Sequence, residues 1–118
     1  MAHPEISAAP RRVAHRHVIV TLPSEIDLLN APAVSDSLLA VLNHEAAGVI
    51  ADMTCTRFCD AAGCRVVGQA SRRARLLGVS VQAVIADPSV RKVFRLTGAD
   101  QVVSVCATLD EALRCDVD

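Results

Sequence analysis

Aromatic side chains are nearly absent from this sequence of 118 residues, which has two Phe and neither Trp nor Tyr. Proteins that bind single-stranded nucleic acid stack the bases on aromatic rings, and this chain offers no such platform. The formal net charge of −1 gives no overall attraction to phosphate either. We therefore expect no nucleic-acid partner.

Long apolar runs are also absent, although 52% of the residues are hydrophobic. No run approaches the roughly 20 residues that cross a bilayer, and residues 1–11 lack the apolar middle of a signal peptide. We therefore expect a cytoplasmic protein with no membrane partner. A chain of this length has room for one core, so we predict a flexible tail over residues 1–11 and one domain over residues 12–118.

The cysteines follow no recognised pairing pattern. Their number is odd and no two are spaced as Cys-x-x-Cys, so we expect neither a disulfide framework nor a zinc ribbon, and most should be small buried hydrophobes. They are Cys55, Cys59, Cys64, Cys106 and Cys115. His15 and His17 are expected to lie on one face of the first strand and to face solvent. Because no phosphate-binding glycine loop or dinucleotide fingerprint is present, we predict no cofactor. His15 and His17 would need a third ligand to hold a metal, and we predict no metal.

Short β-branched runs alternate with helical spacings along the rest of the chain. The predicted strands cover residues 18–22, 49–53, 81–86 and 102–105, with a short extended piece at 25–27. The predicted helices cover residues 31–43, 63–77, 88–97 and 109–113. Single strands joined by single helices pair in parallel through right-handed crossovers. The sequence therefore predicts an α/β fold with a mostly parallel sheet of four to five strands and about four helices.

Capping residues mark where three of these helices begin. Asn30 and Asp87 are predicted N-caps, each with a proline close behind, and Thr108 with Glu111 forms a capping box. In parallel sheets, ligands and partners meet the loops at the carboxyl ends of the strands. The loop over residues 53–62 is the longest of these loops and the richest in reactive side chains.

Separated motifs give the chain a resemblance to a known family. The motifs are EID at residues 25–27, VIADMT at 49–54, FCDAAG at 58–63, DPSVRKVFRLTG at 87–98 and TLDEAL at 108–113. In this order they resemble STAS domains, and within these the bacterial anti-sigma factor antagonists, over about residues 13–115. The resemblance implies a single STAS-like domain of the α/β class.

The resemblance also implies a regulatory binding protein and not an enzyme. Members of this branch bind an anti-sigma factor that is itself an ATP-using serine kinase, and thereby release a sigma factor. The usual switch is phosphorylation of the first serine in an Asp-Ser-Ser-Gly turn, where a phosphate adds about −2 charge to the docking surface. Here the turn reads Asp60-Ala61-Ala62-Gly63, so Ala61 stands at the phosphoacceptor position without a hydroxyl.

The residues implied as partner contacts lie at and near this turn. They are Glu25, Asp27, Thr56, Asp60, Ala61, Ala62, Gly63 and Arg65. Two interpretations of the missing serines are open: the chain is permanently competent to bind, or oxidation of Cys59 and Cys64 replaces phosphorylation. Cys64 should be the more reactive thiol because a helix N-terminus favours the thiolate, although the charge of Asp60 opposes it.

Two other functions are open as well. A non-switching scaffold or subunit of a signalling complex would also suit alanine at both positions, and we expect that two copies of the chain can form a homodimer. In addition, Cys59 to Arg65 spells Cys-x5-Arg, the layout of the phosphate loop of cysteine-based phosphatases. Asp60 fits that loop poorly, because a carboxylate inside a phosphate cradle repels the substrate.

Overall fold

Seven strands and four helices make up the part of the chain that the structure, a computed structural model, describes: residues 9–42 and 47–114. The strands are β1 (Arg11–Ala14), β2 (His17–Thr21), β3 (Glu25–Ile26), β4 (Gly48–Met53), β5 (Phe58–Cys59), β6 (Ser80–Ile85) and β7 (Ser104–Cys106). The helices are α1 (Ala31–Val41), α2 (Ala61–Leu76), α3 (Pro88–Thr97) and α4 (Leu109–Arg114), and a 3₁₀ turn, Ala99–Gln101, follows α3. None of these helices is long and apolar enough to span a bilayer.

A five-stranded sheet in the order β1-β2-β4-β6-β7 forms the centre of the fold. The last four strands in this order are parallel, and β1 runs antiparallel to β2. Every residue of β4 is buried, because strands flank it on both sides and helices cover the sheet. The predicted α/β class and the mostly parallel sheet are therefore confirmed.

The hairpin of β1 and β2 is a feature that the sequence does not indicate. Ala14 pairs with His17, and the two residues between them, His15 and Arg16, have φ angles of 50° and 70°. Turns of this kind usually carry Asn or Gly, so their ordinary sequence signal is missing here. Arg11 lies in β1, which corrects the predicted tail at that residue, and residues 1–8 lie outside the described part.

The two histidines do not share a face of the strand, contrary to the expectation. His15 lies in the exposed turn, whereas His17 is 2% exposed and its Nδ1 lies 3.0 Å from the carbonyl oxygen of His15. A Cβ atom on Gly48, which pairs with His17, would lie 2.9 Å from the imidazole ring. The prediction of solvent exposure is therefore wrong for His17. Within residues 9–42 and 47–114, no group of three or more His, Cys, Asp or Glu side chains could hold a metal ion.

Aliphatic side chains fill both faces of the sheet. The larger cluster joins the sheet to α1, α2 and α3 through residues such as Leu38, Val67 and Phe94. The smaller cluster joins the opposite face to α4, where Ala112 packs with Ile50 and their neighbours. Helices α1, α2 and α3 thus form a layer on one side of the sheet, and α4 covers the other side.

The helix ends follow the predicted caps with one exception. Asp87 caps α3 and Thr108 caps α4, each accepting a hydrogen bond from a backbone N–H of the first turn. Asn30 occupies the N-cap position of α1 but makes no capping hydrogen bond, since its side chain accepts from the N–H of Asp27 at 2.9 Å. The last strand begins at Ser104, two residues later than predicted, because the chain first passes through the 3₁₀ turn.

Candidate functional site

A sharp bend joins β5 to α2, and we call its residues Asp60, Ala61, Ala62 and Gly63 the α2 bend. Asp60 is the extended N-cap of α2, and its Oδ1 accepts a hydrogen bond from the N–H of Gly63 at 3.0 Å. The N–H of Asp60 donates to the carbonyl oxygen of Ile26 at 3.1 Å. The α2 bend is therefore tied both to its helix and to the small parallel sheet of β3 and β5.

Gly63 allows α2 to pack closely against this small sheet. A Cβ atom at Gly63 would lie 2.6 Å from Sγ of Cys59 and 2.7 Å from Cγ2 of Ile26. Real Cβ atoms do not approach other heavy atoms so closely, and both neighbours are buried. These distances explain why a glycine is needed at this position.

Exchange of Gly63 for alanine should therefore destabilise the domain, by about 1–3 kcal/mol, because the added methyl group must displace packed side chains. Gly68 is a matched control in the same helix, since a Cβ atom there meets nothing within 4 Å. Gly68→Ala should stabilise the domain by roughly 0.5–1 kcal/mol, because alanine is the better helix former. Urea unfolding measures the unfolding free energy of both variants. Changes of the same sign would contradict the packing explanation.

The two central residues of the α2 bend present methyl groups. Ala61 is exposed and Ala62 is half-buried, and they are the first two residues of α2. At this position the backbone N–H groups of a helix have no partners within the helix and attract negative charge. The first turn of α2 therefore favours negative charge, but neither Ala61 nor Ala62 has an oxygen atom that could accept a phosphoryl group.

Three large apolar side chains are exposed on the two segments that adjoin the small parallel sheet, and we call them the apolar rim: Phe58 in β5, and Leu28 and Leu29 after β3. These side chains are 51%, 71% and 90% exposed. Phe58 immediately precedes the buried Cys59 in β5 and pairs with the exposed Glu25 of β3. The sequence analysis did not single out these three residues. The available signal was the alternation in β5, where burial of Cys59 turns Phe58 outward.

Two of the implied contact residues instead hold the surrounding loops in place. Oδ1 of Asp27 accepts hydrogen bonds from the N–H groups of Leu29 and Asn30, at 3.0 and 3.2 Å. Thr56 is 1% exposed, and its hydroxyl donates to the carbonyl oxygen of Pro23 at 2.8 Å. Thr56 is therefore not on the surface, and its side chain positions the loop that leads into β5.

On the other side of the α2 bend, a groove of about 400 Å³ runs between α2 and the end of α3. We call it the α2–α3 groove. Arg65 and Arg72 are exposed side chains on its α2 wall, and Cys64 lies in its lining. Arg65 thus lies close to the α2 bend but lines the groove, whereas Glu25 lies with the apolar rim.

The two thiols next to the α2 bend are in contact. Sγ of Cys59 lies 4.0 Å from Sγ of Cys64, and both residues are buried. A hydrogen bond from the Cys59 thiol lowers the pKa of Cys64, and the hydroxyl of Thr97 acts in the same direction. The same contact, together with burial and the charge of Asp60, raises the pKa of Cys59. Cys64 is therefore the more acidic thiol of the pair.

The geometry argues against the phosphatase alternative. In the Cys-x5-Arg pattern the nucleophile is Cys59, whose pKa is raised by its hydrogen bond to Cys64 and by burial. Nucleophilic attack on a phosphate ester needs a thiolate that the ester can reach, and Cys59 is 2% exposed and lies outside the lining of the α2–α3 groove. The residue that the pattern requires as a thiolate is thus held as a buried thiol.

Comparison with known proteins agrees with this fold. The sequence model of the STAS domain matches residues 8–112, which is most of the chain, and the chain therefore belongs to the STAS domain family. No curated protein matches it in sequence.

Three solved structures illustrate the shared fold. An anti-sigma factor antagonist from Mycobacterium paratuberculosis has a TM-score of 0.79 at 21% identity, with 92% of each chain covered. The anti-sigma factor antagonist SpoIIAA of Bacillus, unphosphorylated, has a TM-score of 0.72 at 22% identity, with 94% of this chain and all of SpoIIAA covered. A variant of RsbS from Moorella thermoacetica has a TM-score of 0.72 at 19% identity, with 91% and 95% covered. At these identities the likeness confirms the predicted STAS fold.

Proposed function

We propose that this chain is an anti-sigma factor antagonist, which docks through the α2 bend on an anti-sigma factor of the serine-kinase type and so frees a sigma factor in the cytoplasm. Membership of the STAS family and the names of the similar structures support this role. The observation that carries it is the state of the α2 bend. The cap of Asp60 and the close packing at Gly63 are kept, while both positions between them are alanine.

The surface around the α2 bend has the character of a protein-binding site. Three large apolar side chains, the apolar rim, are exposed next to the carboxylates of Glu25 and Asp60. Exposed apolar side chains grouped together mark interaction sites, and charged neighbours at the edge orient the partner. The complementary partner surface has an apolar patch bordered by Lys or Arg.

The missing hydroxyl at Ala61 implies that binding is not switched off by phosphorylation at this position. In a complex with a kinase-type partner that binds ATP, the methyl group of Ala61 occupies the position of the acceptor oxygen. The domain then keeps its partner whether or not ATP is present. In this role it acts as a binding protein, with no chemical step of its own.

A scaffold function is the second candidate, and it is favoured by the same two alanines. A subunit that only holds a signalling assembly together, as a homodimer or with other STAS domains, needs no switch. Its docking surface would still require a rigid α2 bend.

A binding assay with purified proteins tests the proposal and separates the two functions. The immobilised domain is offered serine-kinase anti-sigma factors from its own organism, each with and without ATP. We expect one of them to bind with equal affinity in both conditions. Recovery of a stoichiometric assembly of STAS domains in their place favours the scaffold, and binding of neither class contradicts the proposal.

The apolar rim should contribute much of the binding free energy. Phe58→Ser should weaken the complex by at least roughly tenfold, about 1.4 kcal/mol, because aromatic anchors dominate protein interfaces. Leu76→Ser is the matched control: Leu76 is 84% exposed at the far end of α2 from the α2 bend. Titration calorimetry should show no change for Leu76→Ser, and equal losses for both variants would place the interface elsewhere.

A further inference from the structure

The contact between Cys59 and Cys64 brings two thiols together across the α2 bend. Cys59 is the last residue of β5, and Cys64 lies in the first turn of α2. Their sulfur atoms are 4.0 Å apart, and a disulfide has an S–S length of about 2.05 Å. The sulfur atoms must therefore come about 2 Å closer to form a bond.

Both thiols are almost fully buried, with Cys59 2% and Cys64 1% exposed, but they differ in their position relative to the α2–α3 groove. Cys64 lies in the lining of the α2–α3 groove, whereas Cys59 lies behind it and against Gly63. Gly68 follows Cys64 by one helical turn, and Gly98 lies across the α2–α3 groove. A Cβ atom at either glycine would meet nothing within 4 Å, so the α2–α3 groove is open beside both glycines. A small oxidant that enters the α2–α3 groove therefore meets Cys64 before Cys59.

We propose that Cys64 and Cys59 form a peroxide-responsive pair, in which Cys64 is oxidised first and Cys59 then closes a disulfide across the α2 bend. The pair is a modification site in its own right. Its effect on docking rests on the proposed function, since it is the α2 bend that meets the partner. The lowered pKa of Cys64, due mainly to the hydrogen bond from Cys59, supports this order.

The chemistry needs one hydrogen peroxide molecule for each disulfide. The Cys64 thiolate attacks one peroxide oxygen, so that an S–O bond forms and the O–O bond breaks, and the hydroxide that leaves takes up the thiol proton as water. Cys59 then attacks the sulfur of the Cys64 sulfenic acid, so that the S–S bond forms, the S–O bond breaks and a second water leaves with the Cys59 proton. The two thiols lose two electrons, and the peroxide gains them.

Closure of this disulfide changes the α2 bend because the connection between the two cysteines is short and closely packed. The residues between the two cysteines are the four residues of the α2 bend, including the Asp60 cap. The backbone of Gly63 lies so close to Cys59 that no Cβ atom fits between Gly63 and the Cys59 sulfur. Drawing the sulfur atoms together therefore shifts either β5 or the first turn of α2. The shifted α2 bend no longer matches the partner.

Intact mass and peptide mapping of the reduced domain after peroxide treatment test the pair. We expect a loss of about 2 Da, a peptide link between Cys59 and Cys64, and reversal by dithiothreitol. Cys59→Ala should trap Cys64 as a sulfenic acid that a dimedone reagent labels, and Cys64→Ala should leave Cys59 reduced. Cys55→Ser, at an exposed thiol, is the control that should keep the link. Circular dichroism verifies folding, and mapping of the wild-type domain decides the result if a variant unfolds.

Binding of the oxidised and reduced domains to a serine-kinase anti-sigma factor tests the regulatory effect, with at least roughly tenfold weaker binding expected after oxidation. If the reduced domain binds but no link between Cys59 and Cys64 forms, the inference is overturned and the proposed function stands. If the link forms and neither form of the domain binds, the proposed function is overturned and the modification site stands. Equal affinity of the two forms overturns the regulatory effect.

Discussion

An Ala61→Ser variant in complex with a serine-kinase anti-sigma factor should become phosphorylated when ATP is added, and the complex should then dissociate. Ala61 is exposed at the first position of α2, so a serine hydroxyl there faces outward at the α2 bend. The phosphate adds about −2 charge next to the carboxylate of Asp60, inside the docking surface. We expect the affinity to fall by roughly 100-fold, about 2.8 kcal/mol, measured by titration before and after phosphorylation.

Ala62→Ser is the matched control for this experiment, because it adds the same hydroxyl one residue further along the α2 bend. Ala62 is half-buried, so its hydroxyl should not be phosphorylated. Without ATP, both variants should bind as the wild-type domain does. A phosphorylated Ala61→Ser variant that remains bound would show that the α2 bend lies outside the interface.

Loss of the Phe94 ring should produce the largest effect on stability. Phe94 is completely buried in α3, among the aliphatic side chains of the larger core cluster. Phe94→Ala removes that apolar surface and leaves a cavity, which costs about 3–5 kcal/mol of unfolding free energy. Such a loss is a large share of the stability of a typical small domain, about 5–15 kcal/mol. Urea unfolding followed by circular dichroism measures it.

Leu96→Ala provides the comparison within the same helix, since Leu96 is 72% exposed. Its unfolding free energy should change by less than about 0.5 kcal/mol, as for most surface substitutions. If the two variants lost similar stability, burial of the Phe94 ring would not be the cause of its loss, since alanine is the better helix former at both positions.

Much of the fold could be predicted from the sequence because local signals and tertiary structure agree here. The apolar run that became β4 is continuous, as expected for a strand buried on both faces, and it is central in the sheet. Asp87 and Asp60 cap their helices through the hydrogen bonds that their side chains favour at such positions. The α2 bend could also be located from the sequence, through the resemblance of residues 60–63 to the Asp-Ser-Ser-Gly turn of STAS domains.

The features that could not be predicted depend on competing local hydrogen bonds or on tertiary contacts. Asn30 has the right side chain for an N-cap, but a competing hydrogen bond to Asp27 uses it. Burial of Thr56 follows from its bond to Pro23, far away in the sequence. The contact between the two thiols likewise depends on how β5 approaches α2, which no local pattern encodes.

The edge strands of the central sheet, β1 and β7, affect how copies of this domain can assemble. On one border, β1 exposes the side chains of Arg11 and Arg12, and on the other, β7 is only three residues long. Charged and very short outer strands resist pairing with a strand from another molecule, because like charges meet and few ladder hydrogen bonds can form. We therefore expect that copies of the domain do not extend one continuous sheet from molecule to molecule, and that any oligomer forms through helices or loops.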